Sequence, residues 1–260
     1  MRIIVALAAA LIVTPAAFAG TGAWHETTGG KLRLVTKGAA DAQGALRGML
    51  EIRLDEGWKT YWKEPGETGV APQVSLEGAS DVRGVALHFP APERFDDGVS
   101  QWAGYQGHVR LPVAFSGLED LSSPLTLDVF LGVCETICVP VQASLDVTPG
   151  ADSGPIDEAQ IDAAFAALPG APHEGFDVTG ASAGDDVLTI EVETPKGGGA
   201  PDIFLAGRDG LSLAAPKFEP AADGGTFTAR IVHRGKGAAL QADYTLVSGG
   251  AAVSGLIEPD

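Results

Sequence analysis

The sequence predicts an all-β protein, a β-sandwich followed by a second, smaller β domain, and three observations carry that expectation. Glycine (35 residues) and proline (17) are frequent in the 260-residue chain. Apolar residues recur mostly with period two, the spacing of a strand with one buried face. Only one stretch has the pattern of a helix, and turn-forming residues punctuate the rest.

At the start of the chain, Arg2 precedes an apolar run from Ile3 to Val13, followed by Pro15 and the small-residue pattern Ala17-Phe18-Ala19. This reads as a secretory signal peptide over residues 1–19. A membrane anchor needs roughly 20 apolar residues, and Pro15 interrupts well before that. The mature chain is expected to begin near Gly20, with no cysteine there to carry a lipid, and to be soluble and periplasmic with no membrane insertion after signal cleavage. Without Arg2 the chain has 16 basic and 34 acidic residues, a net charge of −18, which argues against nucleic acid or anionic lipid as a partner.

Between residues 31 and 147 the alternation is regular. Leu32 and Leu34 form one run; Leu50, Ile52 and Leu54 the next; then Val85, Leu87 and Phe89; then Val109, Leu111, Val113 and Phe115. Two longer runs follow: Leu125, Leu127, Val129, Leu131, Val133, and Val139, Val141, Ala143, Leu145, Val147. Short strands separated by Gly, Pro and Asp turns in about 120 residues predict an immunoglobulin-like sandwich over residues 20–150. Residues 151–170 read as a linker with a short helix, "IDEAQIDAAFAALPG". Asp157 is its expected cap, Gln160 completes a capping box, and Ile161, Phe165 and Leu168 share one face before Pro169. That face is expected to pack between two domains. The second β domain is expected over residues 171–260, from the runs "DVLTIEVETP", "PDIFLAG", "GTFTARIVH" and "ADYTLVSGG".

Both cysteines and all four tryptophans (Trp24, Trp58, Trp62, Trp102) fall in the first half, so function is expected there. In "LTLDVFLGVC" and "CVPVQASLDV" the apolar residues occupy one parity, and Cys134 and Cys138 the other. A hairpin around Glu135-Thr136-Ile137 sets the cysteines opposite each other, Cα atoms about 5.5 Å apart and within disulfide reach. Three readings follow. A purely structural staple gains little from so short a ring, roughly 2 kcal/mol against about 4.7 kcal/mol for a 100-residue loop. A copper(I) or zinc site has few further ligands: zinc wants about four, only His108 is placed to approach, and Met49 is the one methionine after the signal. A redox-active disulfide fits best, because a hairpin tip is exposed and opens without unfolding a sandwich. No Lys, Arg or His is adjacent in sequence to lower a thiol pKa, which suits a carrier attacked by an activated partner. The aromatic segment Trp58-Lys59-Thr60-Tyr61-Trp62 alternates, so Trp58 and Trp62 share a face and Tyr61 takes the other.

The segments "GWKTYWKEPGETGVAPQ", "FPAPERFDDGVSQWAGYQGHVRLPV" and "LGVCETICVPVQASLDV" together resemble the N-terminal periplasmic domain of the disulfide interchange protein DsbD, and more closely its ScsB-like branch. The resemblance covers most of residues 30–148. It implies an immunoglobulin-like fold and a cysteine pair that takes electrons from a thioredoxin-like domain of a membrane disulfide reductase and passes them to oxidised periplasmic client proteins. Cys138 matches the cysteine that forms mixed disulfides and Cys134 the resolving one, although the pair in DsbD itself is further apart. The family's covering loop matches "DDGVSQWAGY", with Trp102 and Tyr105 expected to shield the disulfide and Tyr61 expected near the site. Pro140, two residues beyond Cys138 and without an N–H, is expected to keep an edge open for a partner. No cofactor and no metal are implied, and the role is that of a carrier rather than of an enzyme with a small-molecule substrate. The family continues into a membrane domain and a thioredoxin-like domain; the chain ends at Asp260 without them, so a separate membrane partner is expected. The alternatives are a non-redox interaction module with a structural hairpin disulfide and a copper-binding periplasmic protein.

Overall fold

A computed structural model of the chain describes residues 20–259 apart from 67, 68, 77–83, 97, 99, 100, 118–120, 122, 123, 150–152, 222, 223 and 236–238. The expected signal peptide lies outside the described residues. Among those described, no helix is long and apolar enough to cross a membrane.

The first unit holds β1 (His25–Thr27), β2 (Gly30–Thr36), β3 (Ala45–Leu54), β4 (Lys59–Tyr61), β5 (Gln73–Leu76), β6 (Gly84–Leu87), β7 (Glu93–Asp96), β8 (Gln101–Gln106), β9 (His108–Ser116), β10 (Leu125–Cys134) and β11 (Cys138–Val147). One sheet has the order β1-β2-β3-β9-β6, the other β11-β10-β4-β8-β7 with β5 also paired to β10. The period-two residues read from the sequence meet between these sheets: Leu32, Leu34, Leu50, Ile52, Leu111 and Phe115 face Leu127, Val129, Leu131, Val133, Val141 and Leu145. This is the all-β, immunoglobulin-like sandwich that the alternation predicts.

The outward parity of the first sheet is apolar at Val35 and Met49, which are register partners. The helix α1 (Pro155–Ala166) covers them with Ile161 and Phe165. It therefore packs on the outside of the first sandwich, where two apolar side chains would otherwise face water, and not between two domains. Its cap also differs from the expected one. Gly154 is the N-cap, Pro155 supplies a preset φ at the first turn, and Asp157 accepts a hydrogen bond from Thr21 Oγ1 at 2.6 Å instead of capping the helix.

The second, smaller unit contains β12 (Asp177–Ala183), β13 (Val187–Glu193), β14 (Asp202–Gly207), β15 (Ser212–Leu213), β16 (Lys217–Ala221), β17 (Gly224–His233), β18 (Ala242–Ser248) and β19 (Ala251–Ile257). Its sheets run β12-β13-β17-β15, with β16 on β17, and β14-β18-β19. They enclose Phe176, Leu188, Ile190, Phe227, Ala229 and Tyr244 among others. Alternation on β14 then ties the two units together. Ile203 and Leu205 face their own core, and Phe204 between them joins the core of the first sandwich, its ring centroid 6.0 Å from that of Trp62.

Candidate redox site

The β10–β11 hairpin keeps an unbroken antiparallel register from Leu125↔Val147 to Cys134↔Cys138. The core parity of both strands forces the two cysteines onto the outward face, and the loop Glu135-Thr136-Ile137 closes the hairpin. The cysteines form a disulfide with Cα atoms 4.2 Å apart, closer than the expected separation and near the roughly 4.5 Å of a non-hydrogen-bonded pair. Their surroundings are unequal. Cys134 is 6% exposed, Cys138 is exposed, and Ile137 beside it is 70% exposed.

Tyr61 lies over both sulfurs. Strand β4 pairs with β10 at Val133↔Thr60 and Cys134↔Lys59, and Thr60 Oγ1 donates to the Gly132 carbonyl at 2.8 Å. Alternation then sends Trp62 into the core and Tyr61 outward over the hairpin end. The Tyr61 hydroxyl lies 2.9 Å from Cys138 Sγ and 3.1 Å from Cys134 Sγ. Disulfide sulfurs carry no hydrogen, so the phenol is the donor. Burial pushes the Tyr61 hydroxyl above its usual pKa, which keeps that proton in place at neutral pH.

The ring of Tyr61 is seated in a slot made by glycines. A Cβ on Gly132 would stand 3.1 Å from the ring, and one on Gly69 would stand 2.8 Å from it. Trp102 closes the slot, its ring centroid 5.0 Å from that of Tyr61, and Phe95 stacks on the far side of Trp102 at 4.5 Å. Gly104 lets β8 approach: a Cβ there would collide with the Thr60 carbonyl and stand 2.8 Å from the Trp102 ring.

Of the residues singled out from the sequence, Tyr61, Cys134 and Cys138 are brought into mutual contact, and Trp102 is joined to them through Tyr61. Pro140 is exposed on β11, an end strand of its sheet, opposite Gly132. Tyr105 is corrected. It lies in the sandwich core at 8% exposure, donates its hydroxyl to the Pro90 carbonyl at 2.8 Å, and does not shield the disulfide. The covering segment is itself a hairpin, β7 with β8, and residues 97, 99 and 100 of it lie outside the described residues. On a strand, Trp102 and Tyr105 are three apart and so point to opposite faces.

Sequence reasoning missed Gly69, Gly132, Phe95 and Lys59. Gly132 had a signal, since it shares the parity of Cys134 and leaves a gap that a bulky cross-strand neighbour can fill. Lys59 had none in local sequence, yet it is the register partner of Cys134 and shares its face. Its ammonium lies 5.5 Å from the centroid of Phe95. It also donates to the Gly57 carbonyl at 3.5 Å.

Residues 33–149 match the model of the family described as thiol:disulfide interchange protein DsbD, N-terminal. Among solved structures, the chain is similar to the N-terminal periplasmic domain of ScsB from Proteus mirabilis, with 21% identity and a TM-score of 0.81 over 93% of this chain and 100% of that one. The N-terminal domain of Neisseria meningitidis DsbD, in the reduced form, matches with 15% identity and a TM-score of 0.28, over 45% of this chain and 83% of that one. No curated protein matches the sequence.

Proposed function

From the match of residues 33–149 to the DsbD N-terminal family model, we propose that Cys134 and Cys138 alternate between disulfide and dithiol and carry electron pairs between two protein partners. The donor is a thioredoxin-like domain of a membrane disulfide reductase, and the acceptors are oxidised periplasmic proteins. The periplasmic origin of the Proteus mirabilis relative supports the same compartment for this chain.

The observation that carries the reading is the inequality of the two sulfurs under one phenol. Cys138 is open to a partner, while Cys134 is buried beside the Tyr61 hydroxyl. A donor thiolate attacks Cys138 Sγ, the Cys134–Cys138 bond breaks, and Cys134 leaves as a thiolate that accepts the Tyr61 hydrogen bond. The donor's second thiol then attacks its own sulfur in the mixed disulfide and releases Cys138. The donor is left as a disulfide, and this protein has gained two electrons and two protons. Towards a client the steps run in reverse: the Cys138 thiolate attacks the client disulfide, and Cys134 resolves the mixed disulfide.

Trapping tests the roles. Cys134→Ser leaves Cys138 without a resolving thiol, so it accumulates a covalent complex with a thioredoxin-like periplasmic domain that carries its own single-cysteine substitution. Cys138→Ser accumulates much less, read on a non-reducing gel. Equal trapping by both variants overturns the assignment of roles. No trapping by either, across several thioredoxin-like domains, returns the pair to a structural role.

A further inference from the structure

We infer that Arg94 is a positioning residue through which the second β unit holds the Tyr61–Trp102 stack against the disulfide, an inference that rests on the carrier reading above. Arg94 belongs to β7, the four-residue strand at the end of its sheet, hydrogen-bonded within that sheet to β8. A short end strand with one neighbour is among the first parts of a sheet to open. Here its other side is clamped. Arg94 Nε donates to Asp202 Oδ2 at 2.8 Å, one terminal nitrogen donates to Asp202 Oδ1 and to the Ile203 carbonyl, each at 2.8 Å, and the guanidinium lies 4.6 Å from the Phe204 ring centroid. All these partners are on β14 of the second unit. A bidentate fork with a third hydrogen bond fixes orientation as well as distance.

The clamp connects to the chemistry in three contacts. Phe95, next to Arg94, is the register partner of Trp102 and stacks on it at 4.5 Å. Trp102 lies on Tyr61 at 5.0 Å. Tyr61 reaches both sulfurs at 2.9 and 3.1 Å. Trp102, Gln101 and Arg94 share a narrow cleft with Leu213, Ala214 and Pro216 of the second unit. With the hairpin released from Asp202 and Trp102 withdrawn, Tyr61 loses the ring that presses it onto the sulfurs.

The test uses the mature two-unit protein and dithiothreitol, whose first thiolate attacks Cys138 and whose second thiol closes its own ring, transferring two electrons and two protons. In Arg94→Ala and in Asp202→Ala, reduction of the Cys134–Cys138 disulfide is expected to be roughly threefold faster or more, because opening of the hairpin sets access. The exchange variant, Arg94→Asp with Asp202→Arg, brings the rate back towards that of the original protein. Arg94→Lys, which keeps the charge and loses the fork, falls between. The control is Lys63→Ala, which breaks the 3.6 Å ion pair with Asp243 between the same two units without touching the hairpin, and it leaves the rate unchanged. Unchanged rates in both alanine variants overturn the inference, as does equal acceleration by Lys63→Ala or failure of the exchange variant to restore the rate. Because the reductant is a small dithiol, these outcomes do not depend on any protein partner. A failure here leaves the carrier reading to the trapping experiment, and a failure there leaves this rate test intact.

Discussion

The two β units fill their interiors alike and use their outward faces differently. In the second, outward residues Val187, Glu191 and Glu193 on β13 simply meet water, while β14, with Asp202 and Phe204 against the first unit, departs from this. In the first, the outward parity is covered in three places: Val35 and Met49 by the helix, Glu51 by Arg33, Arg53 and His108, and Cys134 by Tyr61. A sandwich core constrains one residue in two. Chemistry is written in the other half, and only where something lies over it.

Removing a core ring from the second unit has the largest expected effect and tests whether the units are independent. Phe227 is 1% exposed and packs on Phe218 at a centroid distance of 4.7 Å, so Phe227→Ala should cost about 3–5 kcal/mol. All four tryptophans lie at or before position 102. Tryptophan fluorescence therefore follows mainly the first unit, with Trp62 also sensing Phe204 of the second, and far-ultraviolet circular dichroism follows both. The dichroism transition is expected to move to lower temperature well ahead of the fluorescence transition. If the two move together, the units melt as one and the contrast drawn above fails for stability.

The next effect belongs to the first unit. Burial alone pushes the Glu51 carboxyl up, but hydrogen bonds and charge from Arg33, together with hydrogen bonds from His108 and Arg53, overcome this and hold it below its usual value of 4.5. Replacing it by Gln leaves the cations facing a neutral amide in a fully buried position, at a cost of about 3 kcal/mol. The sign of the pH dependence follows. The folded carboxyl is harder to protonate than the unfolded one, so its contribution is complete above 4.5 and fades as pH falls through the lowered folded value. Denaturant midpoints of the original protein and Glu51→Gln should thus differ fully at pH 7 and converge below pH 4.5. A gap that persists unchanged in acid would assign the effect to shape rather than charge.

Opening the disulfide is expected to cost less, about 2 kcal/mol, because the ring it closes is short and lies off the core. Reduced protein should keep its far-ultraviolet spectrum at ambient temperature. Cooperative unfolding on reduction would make the hairpin bond a staple.

These contrasts also explain what could be read from the sequence. Burial imposes period two, so β2, β3, β9, β10 and β11, the opposite faces of Trp62 and Tyr61 and the hairpin with its cysteines off the core were all legible, while which of the two rings turns inward was not. Strands β12 and β19 were not, since "DVTGASA" and "AAVSGLI" are made largely of small residues that alternate weakly. The assembly around the sulfurs was legible only in part, because it joins residues 73 and 77 positions apart through strand order, which local pattern does not encode. Tyr105 was misplaced for a local reason: "DDGVSQWAGY" was read as a loop, where spacing carries no parity, and its second half is a strand.

Tyr61 offers the smallest and most specific effect. A phenol donates more strongly to an anionic sulfur than to a disulfide sulfur, because the bond to the thiolate is charge-assisted. Tyr61 therefore favours the reduced pair, and within it the ionised form of the sulfur it faces. Tyr61→Phe keeps the ring in its slot between Gly69, Gly132 and Trp102 and removes only the donor. The loss should be about 1 kcal/mol, which corresponds to a reduction potential roughly 20 mV more negative for a two-electron couple. The lower of the two thiol pKa values should rise by roughly 0.5–1 unit. Equilibration against glutathione reads the first quantity, and thiolate absorbance against pH reads the second. Stability of the oxidised form should change little, so a large shift in its melting temperature would show that the ring had moved. If potential and thiol pKa both stay where they were, the hydroxyl merely fills space between two sulfurs, and Lys59 becomes the group to substitute next.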